Sequence, residues 1–119
     1  MNKVNLGDKF DMFSEHWKPK IVGRVQECDV KLAKLLGEFE WHQHPQEDEM
    51  FLIVKGHLVI KFRDKDVSLH EGELLIIPKG VEHLPVAEEE VWVMLVEPAG
   101  TLNTGSTVSA RTVAEPERI

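Results

Sequence analysis

The chain has 119 residues, 42% of them hydrophobic and 29% charged, and carries a formal net charge of −7. That length supports one core and not two, so a single domain over 1–119 is expected, and the acidity argues against nucleic acid or an anionic membrane surface as partners, since both need a basic patch. With one cysteine, Cys28, no intrachain disulfide can form.

From the N-terminus, Leu6, Phe10, Phe13 and Trp17 recur at helical offsets and make one apolar stripe, which predicts a helix over about 6–17 ended by Pro19. The same segment lacks the apolar centre of a secretory signal, and the apolar runs at 50–54 and 91–96 fall far short of the roughly 20 residues that cross a bilayer, so a cytoplasmic protein with no membrane span is expected. From residue 20 the period shortens. Runs rich in Val, Ile, Leu and Phe alternate with Gly, Pro and charged joints, predicting strands near 21–27, 30–36, 38–44, 50–55, 57–63, 66–69, 73–77 and 91–96, with a turn at Glu88–Glu90. Many short strands with regular turns read as an all-β sandwich or barrel, its core over about 20–98. The stretch over about 99–119 is rich in Gly, Ser and Thr and is expected to be an extended, partly mobile tail, in which Asn103 and Thr104 could turn over the barrel mouth.

Residues 41–49 read WHQHPQEDE. His42 and His44 would point apart on a helix, but on a strand they share a face because side chains alternate. Pro45 ends the ladder, and Glu49 leads the returning strand where it can add an oxygen ligand to two imidazoles. His83 follows the turn at Pro78–Gly80 and can face the pair if the sheet closes on itself. Three imidazoles and one carboxylate suit one divalent transition metal (Fe, Mn, Ni, Zn or Cu) and not Ca or Mg, which favour all-oxygen sites.

These residues resemble the two motifs of the cupins. The first runs roughly G-x5-H-x-H-x(3,4)-E-x6-G and is met by Gly37, His42, His44, Glu49 and Gly56, with four residues in place of five after Gly37. The second, G-x5-P-x-G-x2-H-x3-N, is met by Gly72, Pro78, Gly80 and His83, with Ala87 where the family has Asn. The resemblance implies a double-stranded β-helix, a small jelly-roll barrel, with His42, His44, Glu49 and His83 as metal ligands at one end. It also suggests a homodimer and the grouping of small single-domain cupins with mannose-6-phosphate-isomerase-like proteins.

Other residues carry weaker signals. On an unbroken strand Glu38 and Glu40 share the parity of His42, which makes Glu40 a candidate catalytic base inside the barrel, whereas a bulge at Gly37 or a site at the rim would turn them outward. Phe39 and Trp41 would then face out and be covered by the helix or a second subunit. Arg24, Lys31, Lys34 and Arg111 are the cations available to an anionic substrate, each also readable as a surface charge, and His16, His57 and His70 read as surface residues. Three functions fit: a metal-dependent, isomerase-like enzyme using Lewis-acid chemistry on a small oxygen-rich substrate (a sugar, sugar phosphate or keto/hydroxy acid), an Fe(II) or Ni(II) dioxygenase, or a non-catalytic metal- or metabolite-binding module. A pocket filled by large apolar side chains would favour the module. An open cavity with a carboxylate that is not a ligand would favour catalysis.

Overall fold

The computed structural model describes residues 1–119 and runs α1 (Leu6–Phe10), β1 (Lys20–Val25), β2 (Cys28–Glu38), β3 (Glu49–Lys55), β4 (Leu58–Phe62), β5 (Asp66–Leu69), β6 (Leu74–Ile77) and β7 (His83–Pro98). Every strand pairing is antiparallel. The order β1-β2-β7-β3-β6 makes one side, and β4 and β5 join it through β7. β7 serves both parts: its start at His83–Val86 pairs with β4, and from Val91 onward it lies between β2 and β3. This is the all-β double-stranded β-helix that the sequence predicts.

Alternation explains what fills it. Ala33 and Leu35 of β2, Phe51 and Ile53 of β3, Leu58 and Ile60 of β4, and Val91, Val93 and Leu95 of β7 point inward and form one buried cluster. Each large side chain so buried contributes about 1.5–3 kcal/mol over remaining exposed. β2 is covered on its other face too, where Leu32 packs under Phe10 and Phe13. Lys34 is also buried there, with Nζ donating to the Phe13 carbonyl at 2.6 Å and lying over the rings of Phe13 and Trp92.

Four local expectations are corrected. The helix covers only Leu6–Phe10, because Phe13 turns in beside Phe10, and Trp17 takes a φ of 61° and stacks on Phe39 at 4.6 Å. The stripe is apolar because it covers the barrel, and packing sets its backbone in place of helical periodicity. The strand expected at 38–44 is absent: β2 ends at Glu38, and beyond it only His42 makes a bridge, to His83. Glu88–Glu90 is not a turn but the exposed bend of a continuous β7. The tail forms no strand, yet it is tied down. The Ser106 amide donates to the Gln43 carbonyl (3.0 Å), the Ile119 amide to the Ile21 carbonyl (3.0 Å), and Thr101 and Thr104 are buried.

Gly105 is what lets the tail sit against Gln43. It has a φ of +59°, and a Cβ there would fall on the Gln43 carbonyl. Gly100, also at positive φ, has nothing within 4 Å of where its Cβ would be. Gly105→Ala is therefore expected to cost more than about 2 kcal/mol, against about 1 kcal/mol for Gly100→Ala, where only the left-handed backbone is at issue. Urea unfolding of the two variants checks this, and equal costs would mean that the tail is not seated as described.

Candidate metal centre

Three pieces of chain bring the histidines and Glu49 together. His83 opens β7, and His42 reaches it through two reciprocal backbone hydrogen bonds: the His42 amide donates to the His83 carbonyl at 3.1 Å, and the His83 amide to the His42 carbonyl at 2.9 Å. Glu49 opens β3 with its side chain on the inward face shared by Phe51 and Ile53. The Pro78–Val81 turn, with Gly80 at positive φ, supports the site by donating the Gly80 amide to the His44 carbonyl at 2.8 Å. Asp48 accepts from the Lys79 amide at 2.9 Å and holds the same turn from the other side.

The result is a compact, buried cluster. His42, His44, Glu49 and His83 are each at most 5% exposed, and one donor atom from each lies within 4.8 Å of the others. His44 Nε2 and His83 Nε2 stand 3.3 and 3.4 Å from Glu49 Oε1. The His42 and His83 Nδ1 atoms lie 2.8 and 2.9 Å from the carbonyls of Glu40 and Val81. A carbonyl can only accept, so both Nδ1 atoms carry the proton and both Nε2 atoms present a lone pair toward the cluster.

Several polar atoms of the cluster find no hydrogen-bond partner within the protein. Both ring nitrogens of His44, Nε2 of His83 and Glu49 Oε1 are buried with no hydrogen-bond partner. Leaving several buried polar atoms unpaired costs about 1–3 kcal/mol each, and a cation shared among them removes that cost. Ligands on opposite sides of one metal stand about twice a 2.1 Å bond apart, roughly 4 Å, so small side-chain adjustments fit the cluster to one ion. The residues fit a divalent transition metal, and four ligands leave positions open on a metal that accepts five or six.

Electrostatics add two carboxyls of opposite behaviour. Burial pushes the Glu49 carboxyl up, but the close approach of the His44 and His83 imidazoles outweighs it and holds the group well below its ordinary range. Glu97, an inward residue near the end of β7, is pushed well above its ordinary range by burial and by the Glu49 charge. Its Oε1 accepts from Lys31 Nζ at 3.0 Å, with both side chains nearly inaccessible, while its Oε2 has no partner unless it shares a proton with Glu49. The direction of both shifts puts that proton on Glu97.

Beside the ligands lies a cavity of about 40 Å³, lined by His42, Glu49 and Glu97 and by the apolar walls Trp17, Leu35, Phe39, Phe51, Val93 and Leu95. It has room for roughly three waters. Asn103 of the tail also lines it, donating to the Arg111 carbonyl at 2.8 Å and accepting from the Val113 amide at 2.7 Å. The turn expected of Asn103 and Thr104 therefore does close on the barrel.

The other candidates fall elsewhere. The register slips at Gly37, where φ is +86°, so Phe39 turns inward and stacks by its edge on His42. Glu38 is exposed, and the Glu40 carboxylate accepts from Ser109 Oγ at 2.8 Å, away from the cavity. Trp41 does face outward, under the Arg63 guanidinium. Arg24 pairs with Asp29, Arg111 donates to the Glu38 carbonyl, and neither lines the cavity. His16 bonds Glu90, while His57 and His70 stack on each other at the surface. Glu97 is the residue that sequence reasoning missed, and Lys31, one of the cations considered for an anionic substrate, is engaged by it. Glu97 continues the inward parity of Val91, Val93 and Leu95, and that parity is the signal that could have found it.

Burial and the neighbouring His83 lower the His42 pKa from its ordinary 6.5 to about 4. Between those values the unfolded chain binds a proton that the folded chain refuses, so stability of the metal-free protein falls as pH drops from about 6.5 toward 4. The loss attributable to His42 is at most about 3 kcal/mol. Urea midpoints of chelator-treated protein across that window check it, and His42→Gln should flatten the slope.

Comparison with known proteins agrees with this geometry. Residues 30–97 match the family described as Cupin domain. A cupin-2 domain containing protein from Shewanella frigidimarina superposes with a TM-score of 0.79 at 45% identity, over 80% of this chain and 93% of that one. YdbB, an uncharacterized protein of Bacillus subtilis, is 41% identical over 52% of this chain and 56% of its own length. The acireductone dioxygenase of the same organism is 32% identical over 67% of this chain and 48% of its own length. The chain spans about half the length of these two curated relatives. No helix is long and apolar enough to cross a membrane. With both motifs in place on the barrel and more than half its length matched, the chain belongs to the cupin family.

Proposed function

We propose that the protein is a metal-dependent dioxygenase that acts on a small molecule with oxygen donors. One observation carries this reading: the four-ligand cluster opens on an apolar cavity that also holds a carboxyl outside the ligand set, Glu97, and no free cation. Among its lining residues are no Lys or Arg, and Lys31, behind it, is engaged by Glu97. A sugar phosphate would need such a cation, so the mannose-6-phosphate-isomerase-like grouping and Lewis-acid isomerisation find less support here. The likeness to an acireductone dioxygenase points the same way.

A divalent Fe or Ni held by His42, His44, Glu49 and His83 would supply a Lewis acid with accessible redox chemistry. The chain's own residues do the rest. His42 and His83 are locked by the Glu40 and Val81 carbonyls so that Nε2 faces the ion. Trp17, Phe39 and Phe51 exclude water and leave an apolar volume that suits dioxygen. Glu97 is placed to hold a proton beside the site, the role the sequence suggested for Glu40.

The homodimer suggested by family resemblance gains a different basis. β6 is an edge strand, and its outward Leu74 and Ile76 remain 53% and 58% exposed, which suits pairing with the same edge of a second copy. Light scattering should give twice the chain mass, falling to one chain for Ile76→Asp.

The activity test is oxygen uptake. Protein stripped of metal and reloaded anaerobically with Fe(II) or Ni(II) is mixed with acyclic enediols, keto acids and sugar phosphates in an oxygen electrode. Uptake matched to enediol or keto-acid loss, reduced at least 100-fold in His44→Ala, is expected. Isomerised sugar phosphate with no oxygen consumed would replace this reading with the Lewis-acid one. Tight ligand binding with no turnover would make the protein a binding module.

A further inference from the structure

The cavity beside the metal ligands is about 40 Å³, room for roughly three waters, whereas small-molecule sites run to about 300–1,000 Å³. An organic substrate therefore enters only if part of the wall moves. Most of the wall is fixed. Ala33, Leu35, Phe51, Val93 and Leu95 sit in the hydrogen-bonded ladders of β2, β3 and β7. Glu49 and Glu97, which separate the cavity from the groove beside Cys28 and Lys79, are held in ladders too, opposite Ile77 and Asp29. His42 is held by its bridge to His83, and the Phe39 amide donates to the Pro85 carbonyl at 3.1 Å.

Trp17 differs from these. It lies half-buried on irregular chain, and its side chain separates the cavity from an outer groove lined by His16, Lys18, Arg111, Thr112 and Val113. That groove, at about 420 Å³, has the size of a small-molecule site. The backbone of Trp17 takes a φ of 61°, which a bulky residue rarely adopts, and such strain collects at ligand clamps and switch segments. Its amide donates to the Lys34 carbonyl at 2.9 Å, so the main chain is anchored and the side chain is the part free to turn. Two contacts hold the ring shut: Nε1 donates to the Leu36 carbonyl at 2.9 Å, and the indole stacks on Phe39, whose edge meets His42. The far side of the groove is a strap, residues 109–113, tied down by side chains with no strand pairing. Ser109 Oγ donates to the Glu40 carboxylate at 2.8 Å and Arg111 to the Glu38 carbonyl at 2.9 Å. Asn103 clasps the strap from the cavity side, through the Arg111 carbonyl and the Val113 amide.

We propose that Trp17 is the gate of the metal cavity and sets the size of molecule that enters it. The indole turns into the outer groove to admit substrate, and the strap clasped by Asn103 limits how far it turns. This deepens the proposed function and rests on the cavity being where substrate reacts.

Entry is read in chelator-treated protein with diethyl pyrocarbonate, which acylates unprotonated imidazole nitrogens. Peptide mass spectrometry follows His42, the histidine that lines the cavity, against the exposed His57 and His70 as the unhindered reference. The variants are Trp17→Ala, Trp17→Phe and Asn103→Ala. Ile60→Ala, in the core but outside the cavity wall, reports opening by general loosening. His42 should react at least about tenfold faster in Trp17→Ala, with Trp17→Phe and Asn103→Ala in between and Ile60→Ala close to wild type.

Equal His42 rates in wild type and Trp17→Ala would overturn the proposal and put the entrance elsewhere. So would an Ile60→Ala rate as high as that of Trp17→Ala, since access would then follow stability and not the side chain at position 17. Should Trp17→Ala not fold, unchanged rates in both Trp17→Phe and Asn103→Ala overturn the gate in the same way. No metal, substrate or turnover enters the assay, so failure of the gate is distinguishable from failure of the dioxygenase reading.

Discussion

Two backbone hydrogen bonds between His42 and His83 are the constraint on which the site depends. They join the loop after β2 to the first residue of β7, and so bring together histidines from distant parts of the chain. β7 then carries the consequence through the barrel, pairing with β4 at one end and with β2 and β3 at the other. Because the bonds use main-chain atoms, they leave both imidazoles free, and the carbonyls of Glu40 and Val81 fix the rings by their Nδ1 protons. The supporting contacts around them, Gly80 to His44 and Ser106 to Gln43, are also main-chain bonds. The loop that carries His42 and His44 is therefore positioned by backbone, and its imidazoles remain free to hold an ion.

A barrel of this size gains little by burying charge. The buried Lys31–Glu97 pair points to the site beside it, since apolar residues at the same inward positions would hold the strands together as well or better. The unpaired nitrogens of His44 and His83 lead to the same conclusion from the other direction. Polar atoms without protein partners are rare inside proteins, and a group of them converging on one point suits a shared cation. The apolar walls of Trp17, Phe39 and Phe51 limit what else can enter.

Much of this was legible in the sequence. The period-two runs gave most of the strands, and the spacing of His42, His44, Glu49 and His83 gave the cluster. What escaped was set by tertiary contacts that local periodicity does not encode. The slip at Gly37 reverses the parity of Phe39 and Glu40, so the aromatic enters the barrel and the carboxylate leaves it. The apolar stripe from Leu6 to Trp17 has helical spacing, but half of it covers β2 and the cavity from irregular chain. Glu88–Glu90 resembles a turn because three carboxylates face solvent on the bend of β7. Lys31 reads as a surface charge until Glu97, far along the chain, is seen to face it. The tail offers little to bury, yet Thr101 and Thr104 are buried because Gly105 can lie on Gln43.

The most direct measurement is elemental analysis by inductively coupled plasma mass spectrometry. It is made on protein purified without chelator or affinity histidines, beside His42→Ala/His83→Ala. Close to one Fe or Ni per chain in the native protein, lost in the double variant, is the predicted result. Equal trace metal in both would contradict a metal centre at these four residues.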